Sequence, residues 1–446
     1  MINYSYLTLD LFAYTLIKGL GFDSINILKP YQHFWQQLPD HVKASLSNVY
    51  DLTQFDDKLK FSGKLGDCLV DGSYQSFNLG DTQAFIFDRS ANPKDTQISV
   101  NYLSQLKTLT PDFPTTDLTL GQTWMISGWV SSSQEDELEN LAQTLYKTLV
   151  GQEWDHQRIG QFMGATVFEV WRSPQLSDKP IANSHTLIIF YTNDKQMEAA
   201  GKLYRYWLNL LCHRHKIWYA YTYSCQLKQE LQNEFNQILP SFPTPGGYDL
   251  DKLKRDLNNN RHILFRYSQK LNLLANQQQT IITNFYNYQN YLNLIETQAT
   301  KRGTTKLTFL NAFSQTVEKH YQPQLEQDIA SLTPSLGTLQ GLTDTVRGIV
   351  EIEQAQRDRN FQNNIAIVGV GLGTASILAS VPDLEMITEL PPVNAYISHW
   401  QLSKPQANFV VSLNVSIFAG VWVAIFTAIV IKLGELFRSK TSSERR

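Results

Sequence analysis

The longest regular pattern in the chain begins near residue 250. From Leu250 and Leu253 through Tyr267, Leu274 and Ile281 to Ile295, apolar residues recur at intervals of three and four, with Asn260 and Gln278 out of pattern. Seven heptads of this kind predict a long helix with a coiled-coil-like seam. The two polar members read either as setters of register or as positions turned to solvent. The KRGTT segment at 301–305 breaks this helix. A second helix is expected over 306–332, ended by Thr333 and Pro334, and a third from Ser335 that meets no proline before Pro382. That third helix would run on as one rod.

Ahead of residue 247 the periods are shorter. Helices are expected at 4–20, 30–38, 134–150, 195–212 and 224–239, the third capped by Ser131–Ser133. Strands are expected at 64–70, 84–88, 122–130, 164–172 and 186–192, on short aromatic and β-branched runs. Strands flanked by helices imply an α+β layer. Pro and Gly punctuation makes 111–116 and 240–247 the linkers.

The last ninety residues differ in kind. No charge occurs over 361–382, whose 365–381 core is almost wholly apolar or small, nor over 405–431. A bilayer core of roughly 30 Å needs about 20 apolar helical residues, so two C-terminal transmembrane helices are expected. Arg357 and Arg359 precede the first run, and Lys432, Arg438, Lys440, Arg445 and Arg446 follow the second. Between the runs, Lys404 stands against Asp383, Glu385 and Glu389. The positive-inside rule then puts both termini in the cytoplasm of a multi-pass protein of the plasma (inner) membrane. The expected layout is a cytosolic α/β domain over 1–245 and a helical stalk over 248–360. Then come spans at 361–382 and 408–432, an extracytoplasmic loop at 383–407 and a basic tail at 433–446. Asp10, Lys18 and Asp23 interrupt the apolar stretches of the first 28 residues, which therefore do not form a signal peptide.

Composition adds little. A net charge of −3 excludes a nucleic-acid partner, and three cysteines suit a reducing compartment. The glycines of Gly369-Val-Gly-Leu-Gly373 sit inside an uncharged helical run, without the strand that a dinucleotide fingerprint requires. Gly369 and Gly373, with Ser412, Ser416 and Gly420 in the second run, form small-residue stripes that let helices approach closely in lipid. The expected partners are the bilayer and further copies of the chain. Cys212, His213 and His215 lack the converging ligands of a metal site, and their segment reads as the end of a helix, where His and Arg meet the helix dipole. No cofactor, metal or catalytic residue is assigned, so the chain is expected not to be an enzyme. Asp383, Glu385 and Glu389 would become carboxylate rings in an oligomer, concentrating divalent or monovalent cations at a pore mouth. Asn414, polar within the second run, is expected to face a helix or a cavity.

This order of parts resembles the CorA-type cation transporters and channels, most closely over 346–380. The resemblance implies an oligomer that passes or gates ions under control of its cytosolic domain. The family's Gly-Met-Asn signature is absent, and Val381-Pro-Asp-Leu-Glu385 stands in its place, so magnesium selectivity is not implied. CorA-like proteins also serve as membrane effectors in prokaryotic defence. The alternative reading is therefore a membrane-anchored sensor or effector whose α/β domain binds a ligand or partner.

Overall fold

A computed structural model describes residues 4–17, 59–65, 68–92, 100–110, 119–130, 135–171, 185–238, 250–379 and 404–443. The chain forms two compact units. The first comprises Met1–Ser241 with His262–Gln340, and the second Phe242–Arg261 with Gly341–Arg446.

An eight-stranded sheet organises the first unit. Its strands are β1 (Tyr4–Leu16), β2 (Leu59–Leu65), β3 (Cys68–Asn78), β4 (Thr82–Asn92), β5 (Thr119–Val130), β6 (His156–Phe162), β7 (Ala165–Trp171) and β8 (His185–Tyr191). They lie in the order β2-β3-β4-β1-β5-β8-β7-β6. Only β5 and β8 run parallel, and every other neighbouring pair is antiparallel.

The expected helix at 4–20 is instead the central strand β1. Leu7, Leu9, Leu11 and Ala13 point to one face and Thr8, Asp10, Phe12 and Tyr14 to the other, and all eight are buried. Residues 7–11 alternate as a half-buried strand would, but Leu11 to Tyr14 are continuously apolar, as a strand covered on both faces allows. The strand expected at 64–70 falls across the β2–β3 hairpin. The remaining strand expectations match β4, β5, β7 and β8. The segments at 30–38, 111–116, 131–133 and 240–247 lie wholly or mostly outside the described residues.

Two helices, α1 (Asn101–Thr108) and α2 (Glu135–Val150), cover one face of the sheet. Leu103, Leu106, Leu138, Leu145 and Leu149 pack there with Leu9, Ile126, Phe168 and Ile188. Each such side chain contributes about 2 kcal/mol by leaving water. The opposite face receives α3 (Asp194–Gly201) and α4 (Tyr204–Ile238). The Asn193 side chain caps α3 by accepting from Gln196 N at 3.0 Å. The Tyr14 hydroxyl donates to the Leu208 carbonyl at 2.9 Å, fixing α4 over β1.

The helices expected at 195–212 and 224–239 are thus divided differently. A short α3 is followed by one continuous helix of 35 residues. Its polar stretch around His213 to Lys216 is no terminus, because the sheet beneath it is polar at the same level. The dipole explanation of His213 and His215 falls with it.

The long helix α5 (Leu250–Thr300) follows the expected heptads. Leu253, Asn260, Tyr267, Leu274, Ile281, Tyr288 and Ile295, each seven apart, are all buried. Gln277, and not Gln278, takes the polar seam position, and its amide is fully buried without a hydrogen-bond partner. The turn after α5 protects the sheet edge. Lys306 and Gln161 exchange backbone hydrogen bonds of 3.0 and 2.7 Å, so the edge of β6 is occupied.

Next come α6 (Thr308–Thr316), a π-helical turn (Val317–Tyr321) and α7 (Gln322–Ala379). The expected stop at Thr333 and Pro334 does not occur. Pro334 sits on an exposed position of α7, and the helix continues through it. In the second unit, Leu253 and Leu257 pack with Val346, Ile349 and Val350. That unit also contains α8 (Lys404–Ser443). Among the described residues, one helical segment is long and apolar enough to cross a membrane, Val410–Val430, with mean hydropathy 2.2.

Candidate ligand-binding site on the sheet

The second face of the sheet turns polar where β3, β4, β1 and β5 meet. Thr8 and Asp10 of β1, Ser73 of β3 and Ser90 of β4 are buried there, and Thr8 and Ser90 share a hydrogen bond of 2.9 Å. Ser73 Oγ donates to Asp88 Oδ2 at 3.1 Å. Tyr204, at the start of α4, donates its hydroxyl to Asp10 Oδ2 at 2.5 Å. Burial, and then the Asp10 charge, raise the Tyr204 phenol well above its ordinary value, so it stays a donor.

Above this floor lies a cavity of about 790 Å³. Tyr6, Trp129, Phe77 and Ile86 form apolar walls, and Asp194 and Glu198 of α3, Lys202 of the turn after it and Arg205 of α4 contribute charged groups. Tyr6 has φ 56° and follows the start of a register shift between β1 and β5. That conformation is costly for a bulky residue and collects at functional sites. Here it accompanies a parallel stack of the Tyr6 ring on Trp129, centroids 5.4 Å apart. Aromatic faces, hydroxyls and one more carboxylate than cation among the lining residues suit a small polar ligand that is neutral or positively charged.

Towards the other edge, the same face buries an ionic network. Glu169 of β7 is fully buried. His185 Nε2 lies 3.1 Å from Glu169 Oε1, and Thr123 Oγ1 lies 2.9 Å from His185 Nδ1 and 2.8 Å from His215 Nε2. With both imidazoles neutral, His215 donates to Thr123, Thr123 to His185 and His185 to Glu169, which leaves no conflict along the chain. Burial, aided by the Arg214 charge, lowers the His185 pKa to about 4, and burial lowers that of His215 further below the usual range. For Glu169, burial opposes ionisation, but the His185 hydrogen bond and the Arg214 charge outweigh it and hold the carboxyl low. Gly121 makes room for this packing: at φ +149°, an added Cβ would lie 2.4 Å from His215 Nδ1.

Apart from the helix-dipole reading of His215 and Arg214, none of these groups was assigned a role from sequence. The signal that could have found the network was a Glu and a His inside strands otherwise apolar. His213 is held away from His215, with Nδ1 2.8 Å from Asn284 Oδ1 of α5. Among the described residues no three His, Cys, Asp or Glu converge as metal ligands.

The other residues singled out from sequence fall in the second unit. Asp383, Glu385 and Glu389 lie outside the described residues. Gly369 and Gly373 are within α7, and Gly369 is exposed with open space around it. On α8, Ser416 and Gly420 are buried and Ser412 is half-buried. Asn414 is exposed and donates to the Val410 carbonyl of its own helix at 2.8 Å, instead of facing a packed helix or cavity within the chain. Phe418, Trp422 and Phe426 are 66%, 68% and 67% exposed. Comparison with protein-family models, with curated proteins and with solved structures returns no match.

Proposed function

We propose that the chain is a membrane-anchored receptor, whose sheet domain binds a small polar ligand and whose helix α8 holds it in the bilayer. The observation that carries the anchor is the exposed apolar surface of Val410–Val430. Twenty-one residues rise about 31 Å, the thickness of a hydrocarbon core. Leaving Phe418, Trp422 and Phe426 in water would be unfavourable, and lipid removes that cost. The cavity over Asp88 supports the ligand half. A cytosolic sheet domain requires the uncharged 361–382 run to cross as well, with Arg357 and Arg359 before it and Lys432 and Arg438 after Val430 on the same side.

The ligand half is tested on the full chain in detergent micelles, by thermal shift against small sugars, nucleosides and polyamines. A compound that raises the melting temperature of the wild type, and fails to do so in Asp88→Asn and Tyr6→Ala, supports it. A panel that shifts nothing counts against it.

A second reading is an oligomer of CorA-like build with two spans, conducting a divalent or monovalent cation. It is favoured by the unbroken course of α7 from Gln322 to Ala379, into the uncharged 361–382 run, and by the small residues Ser416 and Gly420 on the covered side of α8. Liposome flux separates it from the anchor. Replacing Asp383, Glu385 and Glu389 by their amides should lower cation flux at low salt, and less at high salt, where the screening length falls to roughly 3 Å at 1 M. Absence of flux in the wild type leaves the anchor reading alone.

A further inference from the structure

A second opening lies on the sheet domain, separate from the cavity over Asp88. Its volume is about 110 Å³, and its lining includes Arg158 of β6, Trp171 of β7, Arg214 and Trp218 of α4, and Tyr321 of the π-helical turn. Two guanidinium groups therefore face one small space.

Their charge is only half compensated. Both approach Glu169, but at the long distances of 3.4 Å for Arg158 and 3.6 Å for Arg214. His185 and His215 add no negative charge, and Glu169 has one to share. Arg214 is 9% exposed, so its charge is largely removed from water. A buried cation without a full counter-charge is unfavourable, and an anion in the adjoining space relieves it.

The geometry suits an oxyanion. Arg158 lies over the Trp171 ring and Arg214 over the Phe313 ring, each 4.5 Å from the centroid. Such stacking holds a planar guanidinium in one orientation, as the fork that grips a phosphate or sulfate oxygen pair requires. The π-helical turn ends at Tyr321, whose ring stacks on Tyr221 at 3.9 Å and closes one side of the opening. Single π turns within helices are rare and gather at functional sites.

We propose that this opening is a phosphate-binding site, with Arg158 and Arg214 as its ligands and Glu169 as the internal counter-charge that the bound phosphate displaces in part. The volume admits one phosphoryl group and little else. The group comes either as free phosphate or as the end of a phosphate ester lying along Trp218 and Tyr321.

Calorimetric titration of the full chain in detergent micelles, at low ionic strength, tests this with inorganic phosphate and with a nucleoside monophosphate. Saturable binding is expected for at least one of them. Equal affinities identify the free ion, and tighter binding of the monophosphate identifies the ester. Arg158→Gln should weaken binding by about tenfold or more, the loss of one bidentate charge-assisted pair. Arg158→Lys should recover part of it. Glu169→Gln should tighten binding, because it frees both guanidiniums, whereas a purely structural Glu169 would give no gain. The Glu169→Gln arm keeps the test decisive if Arg158→Gln folds poorly. No saturable binding of either probe, equal binding in wild type and folded Arg158→Gln, or weaker binding in Glu169→Gln would overturn the proposal.

Discussion

Helices α5 and α8 are both long, and their apolar residues have opposite fates. Along α5 a stripe recurs every seven residues and is buried from Leu253 to Ile295, while the remaining faces carry mostly Asn, Gln, Lys and Arg, with Phe265, Ile282, Tyr286 and Leu294 exposed singly among them. Along α8 the apolar residues occupy most of the circumference, and the largest of them are exposed. A stripe calls for one partner surface in water. A helix apolar nearly all round calls for an apolar solvent or burial on every side. The chain supplies the partner surface for α5 through α4 and α6, by way of Lys270 on Glu234 and Tyr288 on the Leu310 carbonyl. For α8, among the residues whose burial is described, it covers a side that includes Ala407, Val411 and Ser416.

Truncating one residue in each helix breaks or sharpens this contrast most strongly. Leu274→Ala removes a fully buried side chain from α5, with an expected loss of about 2–5 kcal/mol in unfolding free energy. Ile425→Ala on α8, 47% exposed, should change the unfolding of the sheet domain by less than about 0.5 kcal/mol. Chemical denaturation of the two variants in micelles checks both, and equal losses would erase the distinction.

Acid should separate the units next. His185 titrates near 6.5 when unfolded and at about 4 when folded, so the unfolded chain takes up its proton first as pH falls. Its contribution is fully present above about pH 6.5 and is lost progressively down to about pH 4, in total on the order of 3 kcal/mol. Glu169, held low in the folded state, adds a further loss below the usual carboxylate range. Residues 410–430 carry no titratable side chain, so membrane retention should not follow this pH dependence. Melting curves between pH 7 and 4, with His185→Gln as the control, should show a flatter dependence in the variant.

The smallest effect is a gain. Gln277→Leu places an apolar side chain where an amide is buried without partners, and should stabilise the domain by about 1 kcal/mol. A fall in denaturation midpoint would mean that this amide is satisfied in solution.

What was legible in the sequence follows the same divide. The α5 heptads and the apolar 410–430 segment could be read because each pattern depends on the helix alone. Strand β1 could not: Leu7, Leu9 and Leu11 alternate with Thr8 and Asp10, but the apolar Phe12–Ala13–Tyr14 run, buried on both faces, interrupts the pattern. The split assigned to α4 came from a polar interval whose cause, Thr123 of β5 and Glu169 of β7, lies far away in sequence. The same separation hid the sites. Arg158, Glu169, His185 and Arg214 come from three strands and a helix, and Asp10, Asp88 and Tyr204 from two strands and a helix, with no spacing to announce them.

The central claim is that α8 lies in lipid, and alkaline carbonate extraction of membranes containing the full-length chain tests it most directly. The account predicts that the wild type stays in the membrane pellet, while a Phe418→Lys, Trp422→Lys, Phe426→Lys triple variant moves to the supernatant with the circular dichroism of its sheet domain unchanged. A wild type released by carbonate as a soluble protein would contradict it.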